Sequence, residues 1–123
     1  MREIKFRGVS LRTNKFVYGC FIQTNLDAPA IVHGDGEQEE IDIETLGQYT
    51  GLKDKNGTGI YEGDVVAFIW QGRHRGHGIV KYELDGFKIR VSWNDVYELS
   101  LPDQPDRIVI GNIYENPELL EEL

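Results

Sequence analysis

The run from Val80 to Val91 constrains this chain more tightly than any other segment. Val80, Tyr82 and Leu84 alternate with Lys81 and Glu83; Asp85-Gly86 follows; Phe87, Ile89 and Val91 then alternate with Lys88 and Arg90. A period of two is that of a strand with one buried face. Asp-Gly is a strong signal for a two-residue hairpin turn. A turn at Asp85-Gly86 pairs Leu84 with Phe87, Tyr82 with Ile89 and Val80 with Val91, and all six apolar side chains then share one face. The opposite face sets Glu83 against Lys88, which is favourable, and Lys81 against Arg90, which is not. Such a segment is an antiparallel hairpin laid over a core.

Short strands between turns recur along the chain. Ile4-Lys5-Phe6-Arg7 alternates apolar and basic residues, as a half-buried strand does. Arg12-Thr13-Asn14-Lys15 reads as a turn and Phe16 to Ile22 as a second strand, which together predict a hairpin. Asp27-Ala28-Pro29 interrupts the pattern, Ile31-Val32 is a brief strand, and His33 to Glu40 reads as an exposed acidic loop. Ile41 to Tyr49 predicts a short strand with one turn of helix. Asp54-Lys55-Asn56-Gly57 is a turn, because Asn-Gly readily supplies positive φ angles. Ile108-Val109-Ile110 reads as a central strand. Asn116 as cap, Pro117 in the first helical position and Glu118 in the first turn predict a short C-terminal helix, packed through Leu119, Leu120 and Leu123.

The chain has 123 residues, of which 40% are hydrophobic, enough for one domain with one core. Its net charge of −8 favours solubility and opposes unspecific attraction to nucleic acid or an anionic membrane. The longest apolar run, Val65 to Trp70, is far too short to span a bilayer. The N-terminus carries Arg2, Lys5 and Arg7 without the apolar stretch of a signal peptide, so the expected location is the cytoplasm. Cys20 is the one cysteine. Its place in the apolar run Phe16 to Ile22, with no base nearby, predicts a small buried hydrophobe.

Tyr61-Glu62-Gly63-Asp64-Val65-Val66 leads into a hydrophobic strand; Gly72 and then Gly76-His77-Gly78-Ile79-Val80 follow. Glycines permit tight bends where a small sheet closes on itself. The pattern resembles SH3-like barrels, above all the KOW pattern of ribosome- and transcription-associated proteins. Such barrels host many unrelated tasks.

Three longer motifs resemble those of the YopX-like phage and prophage proteins. Ile4-Lys5-Phe6-Arg7-Gly8 resembles the opening motif. Gly47-Gln48-Tyr49-Thr50-Gly51-Leu52-Lys53-Asp54-Lys55-Asn56-Gly57, with Ile60-Tyr61-Glu62-Gly63-Asp64-Val65-Val66, resembles the central one. Gly111-Asn112-Ile113-Tyr114-Glu115-Asn116-Pro117-Glu118-Leu119-Leu120 resembles the closing one. Phe16 stands where the family often has Trp, and Ile43 where it often has Pro. The resemblance implies a phage or prophage origin in a bacterial host and a mainly β fold, an SH3-like barrel with an additional β-hairpin or extension and a short C-terminal helix. The expected organisation is one domain over 1–123, with a β-rich extension over 1–50 and the barrel part and helix over 51–123. No activity is implied.

The charge is unevenly placed. Residues 71–92 hold five basic side chains against Glu83 and Asp85, a local +3; the remaining eight basic and nineteen acidic residues give −11. Arg73, Arg75, Lys81, Lys88 and Arg90 are therefore the candidate contacts to nucleic acid, with Trp70 or Trp93 as stacking platforms. A solvated loop and sheet surface is the plainer account. His74 and His77, three apart in a loop, lack a nearby Cys or carboxylate and sit between arginines, which oppose a metal ion. His33, Asp35 and Glu37 lie in a merely polar loop, and Asp54-x-Asn56-Gly57 lacks the length and final glutamate of a calcium loop. No phosphate loop, dinucleotide-binding glycine motif or nucleophile elbow occurs. Neither catalytic, cofactor-binding nor metal-binding residues are therefore expected. Two acidic stretches, Glu37 to Glu44 and Glu115 to Glu122, offer surfaces for a protein partner. The sequence thus points to a non-catalytic module that binds a host or phage protein, with nucleic-acid binding through residues 71–92 as the alternative. Exposed strand edges leave room for a homo-oligomer.

Overall fold

The computed structural model describes residues 5–23, 28–70, 74–83, 86–92, 96–103 and 106–122; of these, the side chains of 70, 74, 75, 83, 91, 92, 96–98, 103 and 120–122 lie outside the description. The protein is mainly β. Its chain divides into two compact units, Met1–Gly51 and Leu52–Leu123.

In the first unit, β1 (Phe6–Ser10), β2 (Phe16–Ile22), β3 (Ala30–Val32) and β4 (Gln38–Lys53) pair antiparallel. β1 pairs with β4 as well as β2, so the pairing closes on itself. Asn14 turns the first hairpin at φ 60°. The expected half-buried alternation fails at Arg7, which is only 5% exposed. Its guanidinium lies 4.3 Å from the centre of the Phe16 ring, a cation–π contact that lets a charged head pack inward. The segment read as an acidic loop is a hairpin: β4 already starts at Gln38, and the turn is closed by His33 N–H donating to Glu37 O at 2.8 Å.

The expected helical turn in residues 41–49 is instead a bulge in one long strand. Arg7 pairs with Gly47 and Val9 with Asp42, so residues 43–46 stand against Gly8 alone. Thr45 repairs the broken ladder. Its Oγ1 accepts from Val9 N–H at 2.8 Å and donates to Asp42 O at 2.6 Å, while Asp42 Oδ1 accepts from Glu44 N–H at 3.1 Å.

In the second unit, β5 (Gly59–Tyr61) follows the turn after Lys53. A five-stranded antiparallel sheet then forms in the order β10-β6-β7-β8-β9, from β6 (Asp64–Trp70), β7 (His74–Glu83), β8 (Gly86–Ser92), β9 (Val96–Ser100) and β10 (Ile108–Asn112). Its core joins Ile60, Val66, Phe68, Val80, Phe87, Ile89 and Leu101, with Leu52, Leu99 and Val109 against it. Each fully buried side chain of this kind stabilises the fold by about 1.5–3 kcal/mol.

The β7–β8 hairpin keeps the expected face but slides in register. Glu83 pairs with Gly86, Tyr82 with Phe87, Lys81 with Lys88 and Val80 with Ile89. Residues 84–85 lie outside the description, and Gly86 spends its positive φ of 132° as the first residue of β8. The slide preserves the alternation and brings Tyr82 and Phe87 edge-on, with ring centres 4.9 Å apart. Val80, Phe87 and Ile89 are buried as expected, whereas Tyr82 at the tip is 52% exposed. The side chains of Leu84 and Val91 lie outside the described residues.

β10 is an edge strand, not the central one its apolar run predicted, and Ile110 is 44% exposed. Polar groups close its outer edge. Val109 N–H donates to Asp54 Oδ2 at 2.9 Å, Lys55 N–H to Arg107 O at 2.9 Å, and Asn112 N–H to Asn116 Oδ1 at 3.2 Å. Asp54 Oδ1 meanwhile accepts from Asn56 and Thr58 N–H, both at 2.9 Å. The last contact explains the C-terminus. Asn116 aims its amide back at β10 instead of capping, and Pro117–Glu122 forms a 3-10 helix in place of the expected ordinary one.

Asp54 is buried, and burial alone would push its carboxyl up. The N–H groups of Val109, Thr58 and Asn56, with the nearby Arg107 guanidinium, outweigh this and hold it below the usual carboxylate range. A group held low in the folded state lends stability that is full above its unfolded pKa and fades as pH falls through the folded one. Urea unfolding at neutral pH should show Asp54→Ala less stable by about 3 kcal/mol. The difference from the parent should shrink as pH drops below the usual Asp value of 3.8. A gap that stays constant as pH falls well below that value would contradict the assignment.

Candidate functional site

The alternation of β7 and β8 sends one set of side chains to the core and the other to an outer face. Lys81 and Lys88 stand directly opposite each other on this outer face, with Arg90 beside Lys88 on β8 and opposite Ile79. Both lysines are half-buried and Arg90 is exposed. Three of the five basic residues singled out in the sequence are therefore brought together. Arg75 lies in β7 in register with Ile69, but its side chain is outside the description, as are all of Arg73 and Trp93 and the side chain of Trp70. The like-charged Lys81–Lys88 pair replaces both cross-strand pairs expected from the sequence, because the register slid. Like charges directly opposite cost stability, so the pair concentrates positive potential at some expense to the sheet.

Residues 74–78 are strand, not the expected glycine-rich loop. His74 and His77, three apart, therefore hold positions on opposite faces of β7. Among the described residues no group of three or more His, Cys, Asp or Glu is placed to hold a metal ion. Asp35 serves its own turn, accepting from Glu37 N–H at 3.0 Å. Asp54 is consumed by backbone donors.

Sequence reading missed a groove in the same sheet. Ala67, Phe68, Ile69, Gly76 and Ile108, with Lys55 and Asp106, line an open groove of about 250 Å³. Ile69 is 41% exposed, and Ile110 stands two residues beyond Ile108 on β10. The only signal in the sequence was the unbroken apolar runs of β6 and β10, which hide which residues face out. A second groove, of about 460 Å³, lies in the first unit between Leu11-Arg12 and Glu37 to Glu40. Arg12 reaches Glu39 at 2.7 Å, and that hydrogen bond, helped by one from Ser10, holds the Glu39 carboxyl below its usual range. The acidic stretch is thus partly neutralised within the molecule. In the C-terminal stretch, Glu115 likewise accepts from Asn112 Nδ2 at 2.7 Å.

The three sequence motifs now have places in the fold, and comparison with known proteins agrees with them. The sequence profile described as YopX protein matches residues 5–121. The chain belongs to the YopX family. A crystal structure of the protein EF1440 from Enterococcus faecalis superposes with a TM-score of 0.57 at 24% identity, over 98% of this chain and 99% of that one. This likeness shows a shared fold. No curated protein matches the chain. Among the described residues, no helix is long and apolar enough to cross a membrane.

Cys20, expected in the core, is exposed. It shares the outward alternation of β2 with Tyr18, which is 43% exposed, while the apolar residues around it in sequence belong to a strand with no fully buried position. One equivalent of thiol should therefore react with Ellman's reagent in the native protein at the rate of an open cysteine. Reaction only after unfolding would place Cys20 inside.

Proposed function

We propose that this YopX protein is a non-catalytic accessory module that binds another protein through the groove at β6 and β10 of its second sheet. The observation that carries this reading is the groove at β6 and β10, apolar at its centre and edged by Lys55 and Asp106, with Ile69 and Ile110 exposed beside it. An apolar centre inside a polar rim is the anatomy of a protein interface. Phosphate recognition wants donors at the centre instead. The five-stranded order of the second unit and its glycine-marked bends support an SH3-like module, and the family resemblance supports action in the cytoplasm of a bacterial host that carries the phage. The absence of a catalytic motif in the sequence favours binding over turnover.

The test is affinity capture from bacterial lysate with the parent protein and with Ile69→Glu and Ile110→Glu. A partner held by the parent and lost by both variants, with circular dichroism unchanged, is the expected result. Equal capture by all three, or none by the parent, would sink the reading.

Lys81, Lys88 and Arg90 on one surface favour a second reading, direct binding of nucleic acid. Under the first reading, labelled DNA or RNA binds weakly and is released between low and physiological salt, because few phosphates are neutralised. Micromolar binding that survives physiological salt and disappears in Lys81→Glu/Lys88→Glu would put the second reading first.

A further inference from the structure

The turn between β4 and β5 holds the one asparagine of the chain that is followed by glycine, Asn56-Gly57. Asparagine is a thermolabile residue. It is most so before glycine, where no side chain shields the next backbone nitrogen from the asparagine amide. Both residues are exposed. Chain neighbours apart, no heavy atom lies within 4 Å of the place a Cβ on Gly57 would take. What restrains the pair is Asp54. Gly57 N–H donates to Asp54 O at 3.0 Å, and Asn56 and Thr58 N–H both donate to Asp54 Oδ1 at 2.9 Å. The Asn56–Gly57 peptide bond therefore lies between two donors that share one oxygen. The other oxygen of that carboxylate holds Val109 N–H of β10 at 2.9 Å.

We propose that Asn56-Gly57 is a self-modifying site, whose conversion to aspartate and isoaspartate is restrained by the Asp54 clasp and, once complete, opens it. The nitrogen of Gly57 bonds to Asn56 Cγ, its proton passes to the departing amide, and ammonia leaves. One water then opens the resulting succinimide at either carbonyl. Opening at one carbonyl gives aspartate, which sets a new carboxylate beside that of Asp54. Opening at the other gives isoaspartate, which adds a methylene to the backbone between the Asn56 and Thr58 N–H groups. Two donors spaced for one oxygen then no longer meet it together, and the hold on Val109 loosens with them. Lys55 and Ile108, next to the two ends of the clasp, line the groove, so its shape would change too. That last consequence rests on the protein-binding reading; the chemistry does not.

The test incubates the full chain in mildly alkaline buffer, where the attacking nitrogen loses its proton more readily, and follows each asparagine by peptide mass spectrometry and isoaspartyl methyl transfer. Asn14 is the internal reference, because it is exposed in a turn at φ 60° but is followed by Lys15. Asn56 should convert about tenfold or more faster than Asn14, a barrier difference of about 1.4 kcal/mol. Asp54→Ala should speed conversion at Asn56 and leave Asn14 unchanged. The parent in urea, where the turn is open, makes the same comparison without a substitution. Aged parent protein should exchange the Val109 amide hydrogen faster than fresh protein, whereas aged Asn56→Ser should not. Conversion at Asn56 no faster than at Asn14, a rate indifferent to both Asp54→Ala and urea, or isoaspartate at 56 with Val109 exchange unchanged would each overturn the proposal. None of these readouts involves a partner, so lysate capture can fail or succeed independently of them.

Discussion

One carboxylate organises the second unit. Asp54 takes three backbone N–H groups, two from its own turn and one from a strand fifty-five residues away. The local pair shapes the turn that brings β5 back; the distant one pins β10 to that turn. Arg107 reinforces the junction from the other side, its Nε and Nη2 donating to Lys53 O at 3.1 and 2.9 Å. An ionised acceptor buried among fixed N–H donors binds them more strongly than a neutral one. The cost of leaving any of these donors unpaired makes the arrangement hard to replace piecemeal.

The motifs that mark the family do similar work elsewhere. Asp64, 2% exposed, accepts from Tyr61 N–H at 2.8 Å and so sets the bend into β6. Gly63 holds that bend at φ 89°. Its N–H donates to Val80 O at 2.9 Å and its carbonyl accepts from Ile113 N–H at 3.0 Å, so one glycine ties the central motif to β7 and to the closing motif. Asn112 accepts from Tyr114 and Glu115 N–H to turn the chain after β10. At Gly111 an added Cβ would lie 2.6 Å from Asn116 Oδ1, so the closing motif needs glycine there for the asparagine to reach β10. In sequence these residues are polar, glycine-flanked and far apart. In space they are turn closures and edge caps.

That contrast explains what the sequence made legible. Local period and turn chemistry gave the β class, the faces of β7 and β8, the extent of β2 and the turn at Asp54. Each depends on neighbours in the chain. The failures share a different origin. Whether Ile108-Val109-Ile110 is central or at an edge depends on Asp54 and Asn116 reaching it. Whether residues 41–49 turn as a helix or a bulge depends on Thr45 meeting Val9 across thirty-six residues. Whether Asn116 caps a helix depends on the claim of Asn112 N–H on the same oxygen. Cys20 lies in an apolar run that only the folded sheet divides into inward and outward faces. The hairpin register failed for a subtler reason. Asp85-Gly86 fits a two-residue loop, but a glycine of positive φ also fits the first residue of the returning strand, and the Tyr82–Phe87 contact favours that choice.

The candidate site inherits this division. Basic residues were visible one by one, yet the Lys81–Lys88 pair exists only because of the slid register; the expected register would have set Lys88 opposite Glu83. A sheet that tolerates two facing lysines forgoes a favourable cross-strand pair at its centre. The same sheet spends two side-chain caps on β10, from Asp54 to Val109 N–H and from Asn116 to Asn112 N–H, and a backbone bond beside it at Arg107. Polar closure is concentrated at the edge where the central and closing motifs meet. The central and closing motifs are occupied with bends and with one sheet edge, and the basic residues of β7 and β8 lie outside them.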